Sequence, residues 1–455
     1  MGQIVADHLN FGAMHETNLF SEPSGLISLS FALALGLGLL LKFWLSSRQI
    51  RHVALHRGEV PIAFAQMLSL QAHQKAADYT IAKARLGLLE MAFGAALLLG
   101  WTLLGGLSYL NQHLLTWLGS GLLQQLVLLA AFVLVGGVLE LPLSLYQTFV
   151  LEASFGFNKT TFKLWVLDLV KSSLMGAVIG FPIVALILWM MDAAGGLWWL
   201  WAWLVWMGFN LLLLVIYPTL IAPLFNKFTP LEDSALKERV TSLMQRCGFS
   251  AKGLFVMDGS RRSAHANAYF TGFGAAKRVV FYDTLLSKLS APEVDAVLAH
   301  ELGHFKHRHI IKRIVSMFAM SLLGFALLGW LAGQGWFYTG LGVLPNLAGP
   351  NDAIALLLFM LVMPVFSFFI APIFAQFSRK HEFQADAYAV MQTSGSDLAS
   401  ALLKLYEDNA STLTPDPLYV AFYYSHPGAS ERLARMQGVN GEPSLKPRIN
   451  AANAI

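Results

Sequence analysis

His300, Glu301 and His304 stand in the order His-Glu-Leu-Gly-His at residues 300–304. On a helix, positions four apart share a face, so the two imidazoles can point at one metal ion. Zn²⁺ suits such nitrogens at ~2.0–2.1 Å and acidifies water. Glu301, between them, is placed to take the proton. The chemistry this pattern points to is metal-assisted hydrolysis of a peptide bond. Two histidines do not complete a catalytic zinc site, which usually takes three protein ligands and keeps one position open. Candidates for the third are Glu293, His307, His309, His381, Glu382 and Asp386. Glu382 and Asp386 are four apart and share a helix face, so one can ligate while the other orients a ligand histidine. His307 and His309 fall in the basic cluster 306–309 and read better as an anchor at a membrane interface.

The elements that must position these residues are unusual. The chain of 455 residues is 56% hydrophobic and only 13% charged, where soluble domains carry roughly 25% charged residues. Several apolar runs exceed the ~18 residues needed to cross a bilayer. The predicted spans are 26–45, 86–107, 122–146, 167–190 and 197–217, with two more in the uncharged runs 314–351 and 353–378. This is a predominantly α, multi-pass membrane protein with seven spans. The motif lies at the foot of the last hairpin. Six residues separate His304 from the start of the apolar run at Ile310, and six separate Gln376 from Glu382. That is ~9 Å of helix on each side, so both ligand sets arrive at one height above the membrane.

Basic residues fix an orientation. Connections 1–24, 108–120, 191–196 and 332–352 hold no Lys or Arg, and all 31 basic residues fall elsewhere. The positive-inside rule then puts the amino terminus outside and the carboxyl terminus and metal site in the cytoplasm. The basic-free start also argues against a secretory signal peptide. The net charge of +4 follows this membrane pattern and gives no sign of nucleic-acid binding. Cys247 is the only cysteine, so no internal disulfide forms, and nothing around it activates the thiol.

Four segments follow: 1–226 with spans one to five, 227–309 as a first soluble part carrying the motif, 310–378 as the hairpin, and 379–455 as a second soluble part and tail. In the first soluble part 231–247 has a helical pattern, 253–258 and 278–282 are β-rich, and Ser290-Ala291-Pro292-Glu293 is a capped helix start. In the second, 397–409 is helical and 441–455 reads as loosely ordered. Glu90, Glu140, Asp168 and Lys171 lie in or beside apolar spans, where ionisable groups face a partner or a wet interior, or snorkel to the interface. Asp168 and Lys171 are spaced to pair; Glu140 reads as interior.

Five stretches together resemble the type I CAAX prenyl proteases, integral-membrane zinc metalloproteases. They are Phe155-Gly156-Phe157-Asn158-Lys159-Thr160-Thr161, Tyr217-Pro218 with Ile221-Ala222-Pro223-Leu224-Phe225-Asn226, His265-Ala266-Asn267-Ala268-Tyr269-Phe270, the motif itself, and Glu382-Phe383-Gln384-Ala385-Asp386. The resemblance covers nearly the whole chain. It implies seven long helices around a large chamber, capped by a zincin-like α+β metalloprotease domain. It implies one Zn²⁺ per chain on His300, His304 and Glu382, with Glu301 as base and Asp386 behind the ligands. It further implies that Asn267 holds the substrate backbone and that His426 and Arg432 line the site, His426 assisting catalysis and Arg432 binding substrate. Gly428-Ala429 departs from the family's usual residues after His426-Pro427.

The function expected is a membrane-embedded zinc endopeptidase acting on a lipidated or membrane-tethered peptide or protein, with membrane lipid as its other partner. The family's reaction removes three residues after an isoprenylated C-terminal cysteine. A Leu/Ala/Trp-rich style points to a bacterial inner membrane, where degradation of misfolded membrane proteins is the alternative task. From another class, a seven-span receptor or transporter with a structural zinc would want a closed four-ligand site, often with cysteine.

Overall fold

The computed structural model describes residues 22–250, 253–271 and 278–439. The expected loose tail at 441–455 lies outside the described residues.

Seven helices are long and apolar enough to cross a membrane: Pro23–Leu55, Leu70–Trp101, Leu122–Glu152, Phe162–Ala193, Gly195–Phe225, His309–Leu331 and Asp352–Gln392. Their apolar windows are only 6% to 33% buried, which excludes a solid bundle. Each span packs on the next, the second reaching the third at the Gln147–Glu152 turn, and the seventh returns to the first, so the seven form a ring. At one end the ring draws together around Phe31, Leu128, Leu188, Ala202, Leu328 and Leu358, one from each of six spans. Toward the other end it opens into a cavity of about 1300 Å³ that runs from Glu90 and Met91 to the motif residues.

The helices overrun the expected spans. The first continues to Leu55, and the second starts at Leu70, where Ser69 Oγ accepts Ala72 N–H at 3.1 Å. Helices of 33 and 32 residues are ~50 Å long, against ~30 Å of hydrocarbon, so their polar turns stand outside it. Residues 108–120, read as a connection, form most of a further helix, Gly106–Leu118. The last span passes a tight turn at Phe368–Ile370, between Pro364 and Pro372, and continues as Ala371–Gln392. The chain therefore crosses residue 379 in mid-helix, and the acidic pair is carried on an extension of a membrane helix.

A four-stranded sheet has the order β1 (Phe228–Pro230), β2 (Gly253–Met257), β4 (Arg278–Tyr282), β3 (Ala268–Thr271). Only β2 and β4 run parallel, and β3 is an edge strand. The motif helix, Ala291–Lys306, and the helix Ser234–Arg246 join the sheet through Val240, Leu243, Val279, Phe281, Leu298 and Leu302.

Asp168 and Lys171 do not pair with each other. Asp168 takes a two-pronged contact from Arg262, at 2.8 and 3.0 Å, and Lys171 Nζ donates to the Leu224 carbonyl at 3.0 Å. The planar guanidinium matches a carboxylate fork better than an ammonium does. The result ties the fourth span to the loop before β3. Glu90 lines the cavity; Glu140 is exposed on the third span.

The motif helix is anchored at its start. Glu293 accepts from Ser290 N–H at 2.7 Å, Ser400 Oγ at 2.6 Å and Lys404 Nζ at 2.7 Å, the last two from helix Gly395–Asp408. Burial alone would raise this carboxyl, but the hydrogen bonds from Lys404, Ser400 and Ser290 overcome it and hold it at about 2. A depressed folded-state value means stability present above the ordinary carboxylate range and lost as pH falls toward 2. Glu293→Gln is expected to destabilise the protein by about 1–3 kcal/mol at pH 7. The gap should shrink as pH drops below ~4.5, measured as detergent melting temperature against pH. A gap independent of pH would contradict this.

Candidate active site

The site forms where two helices touch almost backbone to backbone. A Cβ placed on Gly303 would stand 2.9 Å from Ala385 Cα, 3.0 Å from Ala385 O and 3.2 Å from Tyr388 Cβ. Ala385 is fully buried. With no side chain between them, the faces of Ala291–Lys306 and Ala371–Gln392 bring His300 and His304 against Glu382 and Asp386.

Ligand atoms of His300, His304 and Glu382 all lie within 4.8 Å of one another. His300 Nε2 is 3.2 Å from His304 Nε2 and 3.5 Å from Glu382 Oε2, and His304 Nε2 is 3.3 Å from Glu382 Oε1. Glu382 Oε2 is buried with no hydrogen-bond partner. Converging imidazole nitrogens beside an orphaned carboxylate oxygen fit a cation held between them. Behind them His300 Nδ1 meets Asp386 Oδ1 at 2.8 Å. Burial opposes protonation of His300, yet Asp386 and Glu382 outweigh it and raise the imidazole to about 9. The same carboxylates that favour a proton there favour a metal. Glu301, on the cavity side, is raised by burial and held back by the two histidines, nearer the range in which a carboxylate exchanges protons.

His309 is not an interfacial anchor. It is buried, its Nδ1 lies 3.1 Å from His304 Nδ1, and its Nε2 lies 2.9 Å from Gln384 Oε1. Arg308 makes this possible: its φ of 55° breaks the helix in the left-handed region and turns His309 back onto His304. His381, another candidate ligand, stacks on His309 at 4.0 Å and stays out of the cluster. Glu293 is also elsewhere, at the start of the motif helix.

The remaining expected residues divide. His426 lines the cavity, with Nε2 3.5 Å from Glu382 Oε1. Asn267 is exposed to the same cavity just before β3, and its backbone carbonyl accepts Tyr282 N–H at 3.0 Å. Arg432, expected to bind substrate, is buried and commits its guanidinium to Asp386 through Nε at 2.8 Å and Nη2 at 2.6 Å. The His426 segment follows a short helix, Pro417–Tyr423. Asp416 caps its start and pairs with Arg48 of the first span at 2.9 Å. Arg379 donates to the Val420 and Tyr424 carbonyls at its end, at 3.0 and 2.7 Å. None of these long-range partners is visible in a local pattern.

Residues 49–227 match the family model described as CAAX prenyl protease N-terminal, five membrane helices, and residues 230–440 match that of Peptidase family M48. CAAX prenyl protease 1 of Saccharomyces cerevisiae is 38% identical over 70% of this chain and 74% of its own length. The homologue from Arabidopsis thaliana is 38% identical over the same shares, and that from Homo sapiens is 32% identical over 87% and 92%. The crystal structure of S. mikatae Ste24p superposes with a TM-score of 0.83 at 32% identity, covering 90% of this chain and 99% of that one. The chain belongs to the CAAX prenyl protease family of M48 peptidases. It is a multi-pass membrane metalloprotease, and the receptor or transporter reading falls away.

Gly303→Ala tests the packing of the two helices. Because the nearest atoms are backbone, the helices must separate, at a cost of about 1–3 kcal/mol. Metal affinity is expected to fall with stability, read by metal titration and thermal unfolding on one preparation. Unchanged affinity would show that the close approach does not set the site.

Proposed function

We propose that this chain is a zinc-dependent endopeptidase that cuts the tail of a membrane-tethered substrate, removing the C-terminal tripeptide after an isoprenylated cysteine. The observation that carries the reading is the meeting of His300, His304 and Glu382 with Glu301 beside them on a cavity reaching into the ring of spans. Residues 227–309 and 379–455 are taken as the two protease parts, and 1–226 and 310–378 as the membrane part. The basic residues argue for a cytoplasmic site and an outer amino terminus, and the composition for a bacterial inner membrane.

His300, His304 and Glu382 would hold one Zn²⁺. Bound there, zinc supplies Lewis acidity, acidifying water and polarising the scissile carbonyl. Glu301 accepts the proton of the attacking water as its oxygen bonds to the carbonyl carbon, and delivers it to the amine as the C–N bond breaks. His426, at the cavity edge, donates to the oxygen that gains charge. Asp386 accepts from His300 Nδ1–H, which would leave the Nε2 lone pair free to hold a metal; Arg432 fixes Asp386. His309 does the equivalent for His304: its Nε2–H donates to Gln384, so its Nδ1 accepts from His304. Asn267 and the free edge of β3 pair with the substrate as an added strand.

Glu301→Gln is expected to keep one zinc per chain and lose proteolysis, while Glu382→Ala loses both. His309→Ala should weaken zinc binding about 10–100-fold. Zinc content by mass spectrometry and cleavage of a prenylated peptide decide this; zinc loss in Glu301→Gln, or full activity in Glu382→Ala, would overturn the assignment. A second experiment addresses the substrate. A farnesylated peptide in liposomes should be cleaved with at least ~10-fold higher kcat/KM than its unlipidated twin, because the membrane raises its local concentration at the site. Equal rates would remove the membrane-tethered reading and leave a peptidase that happens to be anchored.

A further inference from the structure

The cavity that holds the motif is poor in unpaired positive charge. Of its lining residues, two are Lys or Arg, Lys83 and Arg432. Arg432 is buried on Asp386. Lys83 makes no ion pair among the described residues. Its ammonium lies over the ring of Tyr79, 5.1 Å from the centroid. Tyr79 is fixed in turn: its hydroxyl donates to Glu152 Oε1 at 2.6 Å, and its ring stands 4.9 Å from that of Phe157 and 6.4 Å from that of His265. Glu152, the acid on this wall, accepts that hydroxyl and faces His265 Nε2 at 3.7 Å. Lys83 thus shares a packed wall with the segment that leads, two residues after His265, to Asn267.

The second span turns one stripe toward the cavity: Thr80, Lys83, Gly87, Glu90 and Met91, at helical spacing. Glu90 is seven residues from Lys83, ~10 Å along the axis, and does not neutralise it. Lys83 is exposed to this cavity, and an ammonium without a counter-ion inside a cleft attracts an anion more strongly than one on an open surface. A peptide that loses a C-terminal tripeptide carries one anion that an internal loop of a protein lacks, its terminal carboxylate.

We propose that Lys83 is the subsite for the free α-carboxylate of the departing C-terminal segment. This rests on the tail-cutting function proposed above. Three extended residues reach ~10 Å beyond the scissile bond, and Lys83 lines the same cavity as His300, Glu301 and Glu382. Tyr79 keeps the ammonium on the wall, where the carboxylate can meet it.

The test uses the full chain in liposomes and one farnesylated peptide made as the free acid and as the C-terminal amide. The wild type should cleave the acid with about 10–100-fold higher kcat/KM. Lys83→Gln should bring the acid-to-amide ratio close to one, and Lys83→Arg should restore most of it. A wild type that cleaves acid and amide alike overturns the proposal, as does a Lys83→Gln variant that keeps the wild-type ratio or slows both peptides by the same factor. Because the readout is a ratio within one preparation, a partly folded variant still gives an answer. Failure here is distinct from failure of the tail-cutting reading, which shows as equal cleavage of lipidated and unlipidated peptide.

Discussion

The contact of Gly303 with Ala385 is the constraint on which the site depends. It lets the motif helix lie against the extension of the seventh span with no side chain between them. Five polar side chains that would be costly to bury singly then satisfy one another: His300 with Asp386, Asp386 with Arg432, and His304 with His309. Burying charge without partners is strongly unfavourable, whereas a closed network of charge-assisted hydrogen bonds is rigid. The atom left without a partner, Glu382 Oε2, sits beside the paired imidazole nitrogens, where a cation would satisfy it.

That arrangement also fixes the height of the chemistry. The motif helix passes through Arg308 directly into the sixth span, and the acid-bearing helix is continuous with the seventh. Neither can swing away from the membrane without bending a span. The ring of helices, drawn together at one end and open at the other, leaves a cavity of about 1300 Å³ whose walls come from both parts of the chain. Arg262 with Asp168, and Arg48 with Asp416, fasten the segments around the site to the fourth and first spans. A substrate presented from the membrane meets a site whose position is already set.

What the sequence disclosed was what short spacing encodes. The His-Glu-Leu-Gly-His pattern and the Glu382/Asp386 pair are separations of four within single helices, and the seven spans are runs of apolar residues. Which acid of the pair faces the histidines depends on the register of two helices about 80 residues apart, set by Gly303, and no local pattern carries that. His309 was misread because its position five residues after His304 is off the helical face; the left-handed turn at Arg308 puts it there. The partner of Asp168 was missed for the same kind of reason, since Arg262 is 94 residues away while Lys171 is three. The helix Gly106–Leu118 looked like a connection because it is too short to span; Asn111 Oδ1 accepts from buried Gln124 at 2.8 Å, fastening it to the third span.

The central claim is that one metal ion is held by two imidazoles and a carboxylate brought together by the two helices. X-ray absorption at the zinc edge of the purified, active protein measures that shell directly. The account predicts one zinc per chain with two nitrogen and one or two oxygen ligands at ~2.0–2.2 Å and no sulfur at ~2.3 Å. A shell containing sulfur, one with a single histidine, or active protein free of zinc would contradict it.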